Sequence, residues 1–311
     1  MMTGAITSEL MDSRQLRYFA KVIETGNLTR AADVLHVAQS AVSMHVRNLE
    51  KELGVTLLVR SRAGVTPTDQ GQLLFEHART ILRQFDQARH EVVSLGKEPH
   101  GEVALGIPAT VAPVLVRPLL DLLQRRAPKV KPHIVEAMSG YLLEWLHSGR
   151  LDAAILFDSQ QLSGLRSTVL GVESMYLVGP PDSFTQGQVV TLARLPRYPL
   201  IIPGRMHGMN LLIRRAAGQA GVTLDIRVEV DSVAEMVSLV KGGYGYTVLA
   251  RMGFHRELEE GKVSVAHIER PKIERTLVGA TVESRPLTQG TALLVEGAET
   301  ILRAFTSHGS F

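Results

Sequence analysis

The hydrophobic period of this chain changes once, at residues 97 to 101, and that change limits what it can fold into. Before it, one short hairpin apart, apolar residues recur at intervals of three and four, the spacing of helices. After it, runs of β-formers alternate with helical segments. The break itself, KEPHG, holds a Pro and a Gly, and no apolar pattern crosses it, so it reads as a linker. A chain of 311 residues exceeds one small core and calls for two or three domains.

Residues 1 to 11 lack periodicity and are expected to be disordered, with Met11 an alternative start to Met1. Residues 13 to 26 predict a helix capped by Ser13, with Leu16, Phe19, Ala20 and Ile23 on its core face and Gly26 and Asn27 at its end. In the next stretch, 28 to 54, Leu28, Ala31, Ala32 and Leu35 form one apolar face. A turn follows at Val37 and Ala38, and then a second face of Ala41, Val42, Val46, Leu49 and Leu53. The opposite side of the second helix carries Gln39, Ser40, Ser43, Met44 and Arg47. Two short helices joined by a tight turn fit a helix-turn-helix whose second helix enters a DNA major groove. Two plain amphipathic helices with a solvated face fit the same residues. From Ser13 to Thr66, eight basic residues against four acidic ones leave +4, which suits an anionic partner.

VTLLVRSRAGVTPT (55–68) predicts a hairpin, or wing, with Arg60 and Arg62 at its tip, within reach of phosphates or a minor groove. The other reading is two exposed loop arginines. Thr68 then caps a helix running to Gly96, with Asp69 in its first turn. Along it Leu74, Ala78, Ile81, Phe85, Ala88, Val92 and Leu95 repeat at four and three, a heptad stripe that predicts a dimerisation helix. Packing on the chain's own body is the alternative.

Beyond the linker, strands at 101–108, 131–137 and 151–157 enclose helices at 109–127 and 141–148, an order that predicts a parallel sheet covered on both faces. A second α/β unit spans about 172 to 274, with strands at 175–178, 199–202, 226–230 and 245–249 and helices at 208–220 and 232–242. A late strand (276–283) and a closing helix (288–306) are placed to return to the first unit. The expected layout is 1–11 disordered, 12–67 an all-α winged helix-turn-helix, 68–96 a linker helix, 97–101 a linker and 102–306 two α/β subdomains, with 307–311 a tail. The subdomains are 102–172 plus 276–306, and 173–275.

The chain has no cysteine, which excludes disulfides and thiolate chemistry. MMTGAITSELM is no signal peptide, and the apolar run near residue 111 is cut by Pro113, Arg117 and Pro118, so no membrane is expected and the chain reads as cytoplasmic. His90-Glu91 has no partner histidine for a metal motif; Gly242, Gly243 and Gly245 form no nucleotide fingerprint; no phosphate-binding loop and no nucleophile elbow occur. No catalytic residue and no metal ligand is assigned, and the chain reads as not an enzyme.

RQLRYF (14–19), AQSAVSMHVRNLE (38–50), TPTDQG (66–71) and HARTIL (77–82) together resemble the LysR-type transcriptional regulators. GEVALGIP (101–108), GRLDAAILF (149–157) and GGYGYTVLA (242–250) extend the resemblance through the later domain, and MSGYLLEWLHSGRLD (138–152) is similar to the nitrogen-assimilation control branch. The resemblance implies a winged helix-turn-helix, a linker-helix dimer or tetramer, and an effector domain of two α/β subdomains of periplasmic-binding-protein type II. It implies double-stranded promoter DNA, further copies of the chain, RNA polymerase and a small-molecule effector as partners, and no resident cofactor. Two positions depart from the family pattern: Ser40 stands where many members have Pro, and Met44 where many have Arg or another long polar group. Met donates no hydrogen bond to a base edge and suits a thymine methyl instead.

On this reading Gln39, Ser40, Ser43, Met44 and Arg47 face the groove, while Thr29, Arg30, Arg60 and Arg62 touch backbone or minor groove. In the effector part, Thr110 and the Ser139–Gly140 pair stand at helix starts, whose free N–H groups suit a small anionic effector. Pro203, Gly204, Arg205 and Thr247 lie near strand ends of the second unit, where open α/β sheets bind ligands. Thr110 and Ser139 as plain N-caps is the competing reading. A solute-binding protein with the same two subdomains, and a regulator controlled by its own abundance, are the functional alternatives.

Overall fold

The computed structural model describes residues 11–61, 64–93, 98–157 and 162–307. Arg62 and Leu95 lie outside them, as do residues 1–10, the start of the linker and the last four residues. The chain divides into two compact units, Met1–Gly96 and Lys97–Phe311.

The first unit opens with helix α1 (Ser13–Thr25). Its cap is Asp12 rather than Ser13: the Asp12 carboxylate accepts from Gln15 N while the Gln15 side chain accepts from Asp12 N, a reciprocal box that Ser13 is one residue too late to form. Gly26, at φ 63°, ends α1, and Asn27 caps α2 (Leu28–Leu35) by accepting from Thr29 N and Arg30 N. His36 takes the left-handed conformation that closes α2, and α3 (Gln39–Leu53) follows. Phe19, Val22, Ala31, Ala32, Val42, Val46 and Leu49 are buried together, with Leu57 and Leu58 of the wing beneath them. Burying each of the larger side chains stabilises this small core by about 1.5–3 kcal/mol.

The wing pairs β1 (Leu58–Ser61) antiparallel with β2 (Gly64–Pro67). Its root is fixed by Glu50, whose carboxylate accepts from Leu57 N at 2.9 Å and Leu58 N at 3.1 Å. Thr68 Oγ1 donates to Thr56 O and accepts from Gly71 N, joining the wing to α4 (Asp69–Val93).

The second unit is built on one sheet of eight strands: β3 (His100–Ile107), β4 (Lys129–Glu136), β5 (Ala153–Phe157), β6 (Leu165–Gly179), β7 (Val189–Thr191), β10 (Thr247–Ala250), β11 (Ser264–Glu269) and β12 (Glu274–Val282). Its order is β4-β3-β5-β12-β6-β11-β7, with β10 also on β6. A separate pair joins β8 (Leu200–Ile202) to β9 (Ile226–Glu229). β3, β4 and β5 run parallel, as the strand–helix order predicts, while β12 enters antiparallel between β5 and β6 and makes the whole sheet mixed. The 15-residue β6 pairs with β12 along most of its length and with β10 and β11 at its far end. The expected subdomain boundaries, 172/173 and 275/276, therefore fall inside β6 and β12, strands that both halves share.

Around the first half of the sheet lie α5 (Ala112–Arg126), α6 (Ser139–His147) and α10 (Gln289–Ser307). Leu115, Leu119, Leu294 and Leu302 of α5 and α10 pack on one face, Leu142 and Leu146 of α6 on the other. The second half is covered by α7 (Gly208–Gln219), α8 (Val233–Lys241) and the short α9 (His255–Glu259) over Leu177, Val178, Ile201 and Leu249. No helix among the described residues is long and apolar enough to cross a membrane.

Candidate nucleic-acid interface and effector cleft

An open groove of about 560 Å³ runs between the wing and the start of α2 and α3, lined by Asn27, Thr29, Arg30, Gln39, Arg60 and Gly64. Val65 N donates to Gly26 O at 2.8 Å, and a Cβ on Gly64 would meet Gly26 O at the same distance, so the wing stands as close to the α1–α2 turn as backbone permits. Ala38 gives α3 no side-chain cap, and Gln39, Ser40, Met44 and Arg47 are exposed on its outer side. Met44 keeps 48 % of its surface in water, which leaves an apolar side chain open on the outer face of α3.

Ser43 departs from this pattern. It is only 6 % exposed and does not face the groove. Its hydroxyl accepts from Arg60 Nη1 at 3.2 Å, and its carbonyl accepts from Arg47 Nε at 3.2 Å. Arg60 is likewise not at the wing tip: it sits within β1 opposite Val65, and its guanidinium turns back to α3.

The heptad stripe of α4 divides. Ala78 is fully buried and Leu74 packs on the first unit's own core, as the alternative reading allowed. Ile81 is half-buried, whereas Phe85, Ala88 and Val92 face water, Phe85 at 56 % and Val92 at 80 % exposure. Arg17 of α1 pairs with Asp86 at 3.4 Å, just below the point where the stripe emerges.

In the second unit neither predicted helix start is a cap. α5 begins at Ala112 with Val111 as its cap, so Thr110 lies in the preceding turn. Ser139 is the first residue of α6, whose cap is Met138, and Gly140 is exposed in its first turn. Both hydroxyls instead reach a buried network. Thr110 Oγ1 accepts from Arg275 Nη2 at 3.0 Å, and Arg275 Nε donates to Glu173 Oε2 at 2.9 Å. The Arg275 guanidinium lies 3.3 Å above the Phe157 ring, and Phe157 N donates to Ser139 Oγ at 3.3 Å. Burial holds the Arg275 pKa below the usual arginine range, while the charge and hydrogen bond of Glu173 oppose that shift.

On the other half, Gly204 N donates to Asp231 Oδ1 at 2.8 Å, and the buried Pro203 offers its carbonyl to Asn210 Nδ2. Arg205 is exposed. His207 caps α7, its Nδ1 accepting from Met209 N at 3.1 Å. Desolvation lowers the His207 pKa, the Asp231 carboxylate opposes that, and Arg275 adds to it, which places the two halves' charges within electrostatic reach. Thr247 lines no cleft: it is fully buried, with its hydroxyl against Met236 Sδ. Among the described residues no cluster of three His, Cys, Asp or Glu is placed to hold a metal ion.

Arg275, Glu173, Phe157, His207 and Asp231 were not singled out from sequence. An acidic residue in the middle of the β-former run VLGVESMYLV was the available signal, since a charge there needs a partner.

Comparison with known proteins adds the following. Residues 13–72 match the family model described as bacterial regulatory helix-turn-helix protein, lysR family, and residues 96–300 match the LysR substrate binding domain. The nitrogen assimilation regulatory protein nac of Klebsiella aerogenes is 34 % identical over 268 residues, 86 % of this chain and 87 % of the relative. A hydrogen peroxide-inducible genes activator of Pectobacterium carotovorum subsp. carotovorum is 31 % identical over 268 residues, 86 % and 89 % of the two chains. Among solved structures, a full-length OxyR variant from Pseudomonas aeruginosa superposes with a TM-score of 0.72 at 26 % identity, covering 93 % of this chain and 98 % of that one. CbnR in complex with its target DNA shares the fold, at a TM-score of 0.69 and 22 % identity, with 94 % and 100 % coverage.

Proposed function

Because this chain belongs to the LysR family of bacterial helix-turn-helix transcriptional regulators, we propose that its DNA contacts are made by Gln39, Ser40, Met44 and Arg47 of α3, with Thr29, Arg30 and Arg60 on the backbone. The observation that carries this reading is the groove in which Gln39, Thr29, Arg30 and Arg60 converge beside the exposed face of α3. Phosphate contacts position such a protein and base contacts give it sequence preference. The exposed Phe85, Ala88 and Val92 supply the seam for a second copy, and paired half-sites raise affinity through effective concentration. The chain acts by binding in the cytoplasm, where promoter DNA lies, and not by catalysis; RNA polymerase is the partner through which it alters transcription. A gel shift of the full chain on its upstream intergenic DNA, against an excess of unrelated duplex, tests the reading. Retention of the shift supports it, and equal displacement by both DNAs overturns it. A solute-binding protein leaves residues 13–72 without a role.

We propose a small-molecule effector between the halves of the second unit, held by Thr110, Ser139 and Arg275 from one half and by Gly204 and His207 from the other. The structure bears on its chemistry. Arg275 already carries Glu173, and Gly204 N already carries Asp231. A carboxylate ligand would compete with these internal carboxylates for the same donors. That observation favours a second reading, in which the regulator responds to its own abundance and the internal carboxylates stand where an effector's would. Calorimetry against a panel of small carboxylates separates the two. With no cysteine in the chain, a response resting on a thiol is not open to it.

A further inference from the structure

We infer that Ser43 is the positioning residue of the DNA interface, holding Arg60 of the wing by its hydroxyl and Arg47 of α3 by its carbonyl, and that Arg60 so placed clasps a backbone phosphate together with Arg30. The inference rests on the proposed DNA-contact surface and adds an account of how that surface is assembled.

At 6 % exposure, Ser43 is too enclosed to read a base edge. Two arginines from different elements nevertheless converge on it, each at 3.2 Å. Arg60 otherwise hangs on a flexible stem from a two-stranded ribbon, and such a stem loses much conformational freedom when it binds. The bond to Ser43 restricts that freedom before DNA arrives. It uses one of the five N–H donors of the guanidinium and leaves the others for a ligand. Arg60 also lines the groove that holds Arg30, Thr29 and Asn27. Two guanidinium groups sharing one groove repel each other unless an anion lies between them, and a phosphate oxygen matches their planar donor geometry. The N–H groups of Thr29 and Arg30 are already taken by Asn27, so the guanidiniums and not the start of α2 supply the donors.

The test is a double-mutant cycle in the full-length chain, with a labelled duplex of the upstream intergenic region titrated between about 50 and 200 mM salt. Arg60→Ala is expected to lower the slope of log affinity against log salt by about one and to leave base preference unchanged. Ser43→Ala is expected to weaken binding by about threefold to tenfold, with a partial fall in the same slope, and to add nothing in the Arg60→Ala background. Additive effects overturn the inference, as does a change of base preference in Ser43→Ala at constant slope, or full affinity in Ser43→Ala when Arg60→Ala is weakened. If Arg60→Ala and Arg30→Ala both keep the full slope, the DNA-contact surface itself is misplaced.

Discussion

Arg275 of β12 and Glu173 of β6 meet at 2.9 Å, 102 residues apart in sequence, on the two strands that both halves of the second unit share. Their side chains are 10 % and 6 % exposed. Such a pair does little for net stability while intact, yet losing one partner leaves a buried charge uncompensated. Glu173→Ala is therefore expected to destabilise the chain by about 3–5 kcal/mol in urea unfolding, and Glu173→Leu with Arg275→Met to recover most of that loss. A Glu173→Ala midpoint equal to that of the wild type removes the pair from the account.

His207 links pH to the stability of the same unit. Its pKa is lowered from 6.5 in the folded state, chiefly by desolvation, so the unfolded chain takes up a proton first as pH falls. The stability contributed by neutral His207 is thus complete above about 6.5 and is lost as pH drops through the depressed folded value. His207→Asn keeps an acceptor for Met209 N and is expected to flatten the decline in melting temperature as pH falls below about 6.5. An undiminished decline in the variant assigns it to other groups.

We propose the exposed end of α4, with Phe85 and Val92 in water, as the dimer seam. Phe85→Asp with Val92→Asp puts two charges where apolar contact is expected and should give monomers by light scattering, with weaker operator binding as a consequence. Ala78 belongs to the monomer's own core, so Ala78→Asp should unfold the first unit instead. A dimeric Phe85→Asp/Val92→Asp chain places the seam elsewhere.

Gly71 fixes how α4 leaves the wing. A Cβ there would lie 2.0 Å from Leu57 O, a backbone atom whose place is set by its bonds from Thr68 N and Thr68 Oγ1. Gly71→Ala is expected to lower the stability of the first unit by more than about 1 kcal/mol, even though Ala is the better helix former. A stabilised variant would show that α4 can shift.

The parts legible in the sequence were those set by local pattern. The two helices around residues 36–38, the wing and the long α4 follow from periodicity, turn residues and caps within a few positions of one another. The helix starts near Thr110 and Ser139 are legible to within three residues, but the reading of these two residues as plain N-caps is not met: Val111 and Met138 hold the cap positions and the hydroxyls bond Arg275 and Phe157 N. Nothing local marks Thr110 as a neighbour of Arg275, 165 residues away. The same holds for Ser43: its spacing on α3 puts it beside Gln39 and Arg47, and only the return of the wing brings Arg60 to its hydroxyl. The β-former pattern predicts only residues 175–178 of β6, because residues 165–174, which pair with β12, mix polar and apolar side chains. The antiparallel entry of β12 into the sheet depends on pairing across more than a hundred residues, which no local window contains.

The central claim is that α3 reads promoter DNA through its exposed outer face, and the most direct measurement is operator affinity by fluorescence anisotropy for the wild type, Gln39→Ala and Arg47→Ala. Each substitution is expected to cost about 1–3 kcal/mol on the specific site where the side chain meets a base edge, and to cost much less on unrelated duplex, so that specificity falls. Unchanged affinity for the specific site in both variants would contradict the claim and remove α3 from the recognition role.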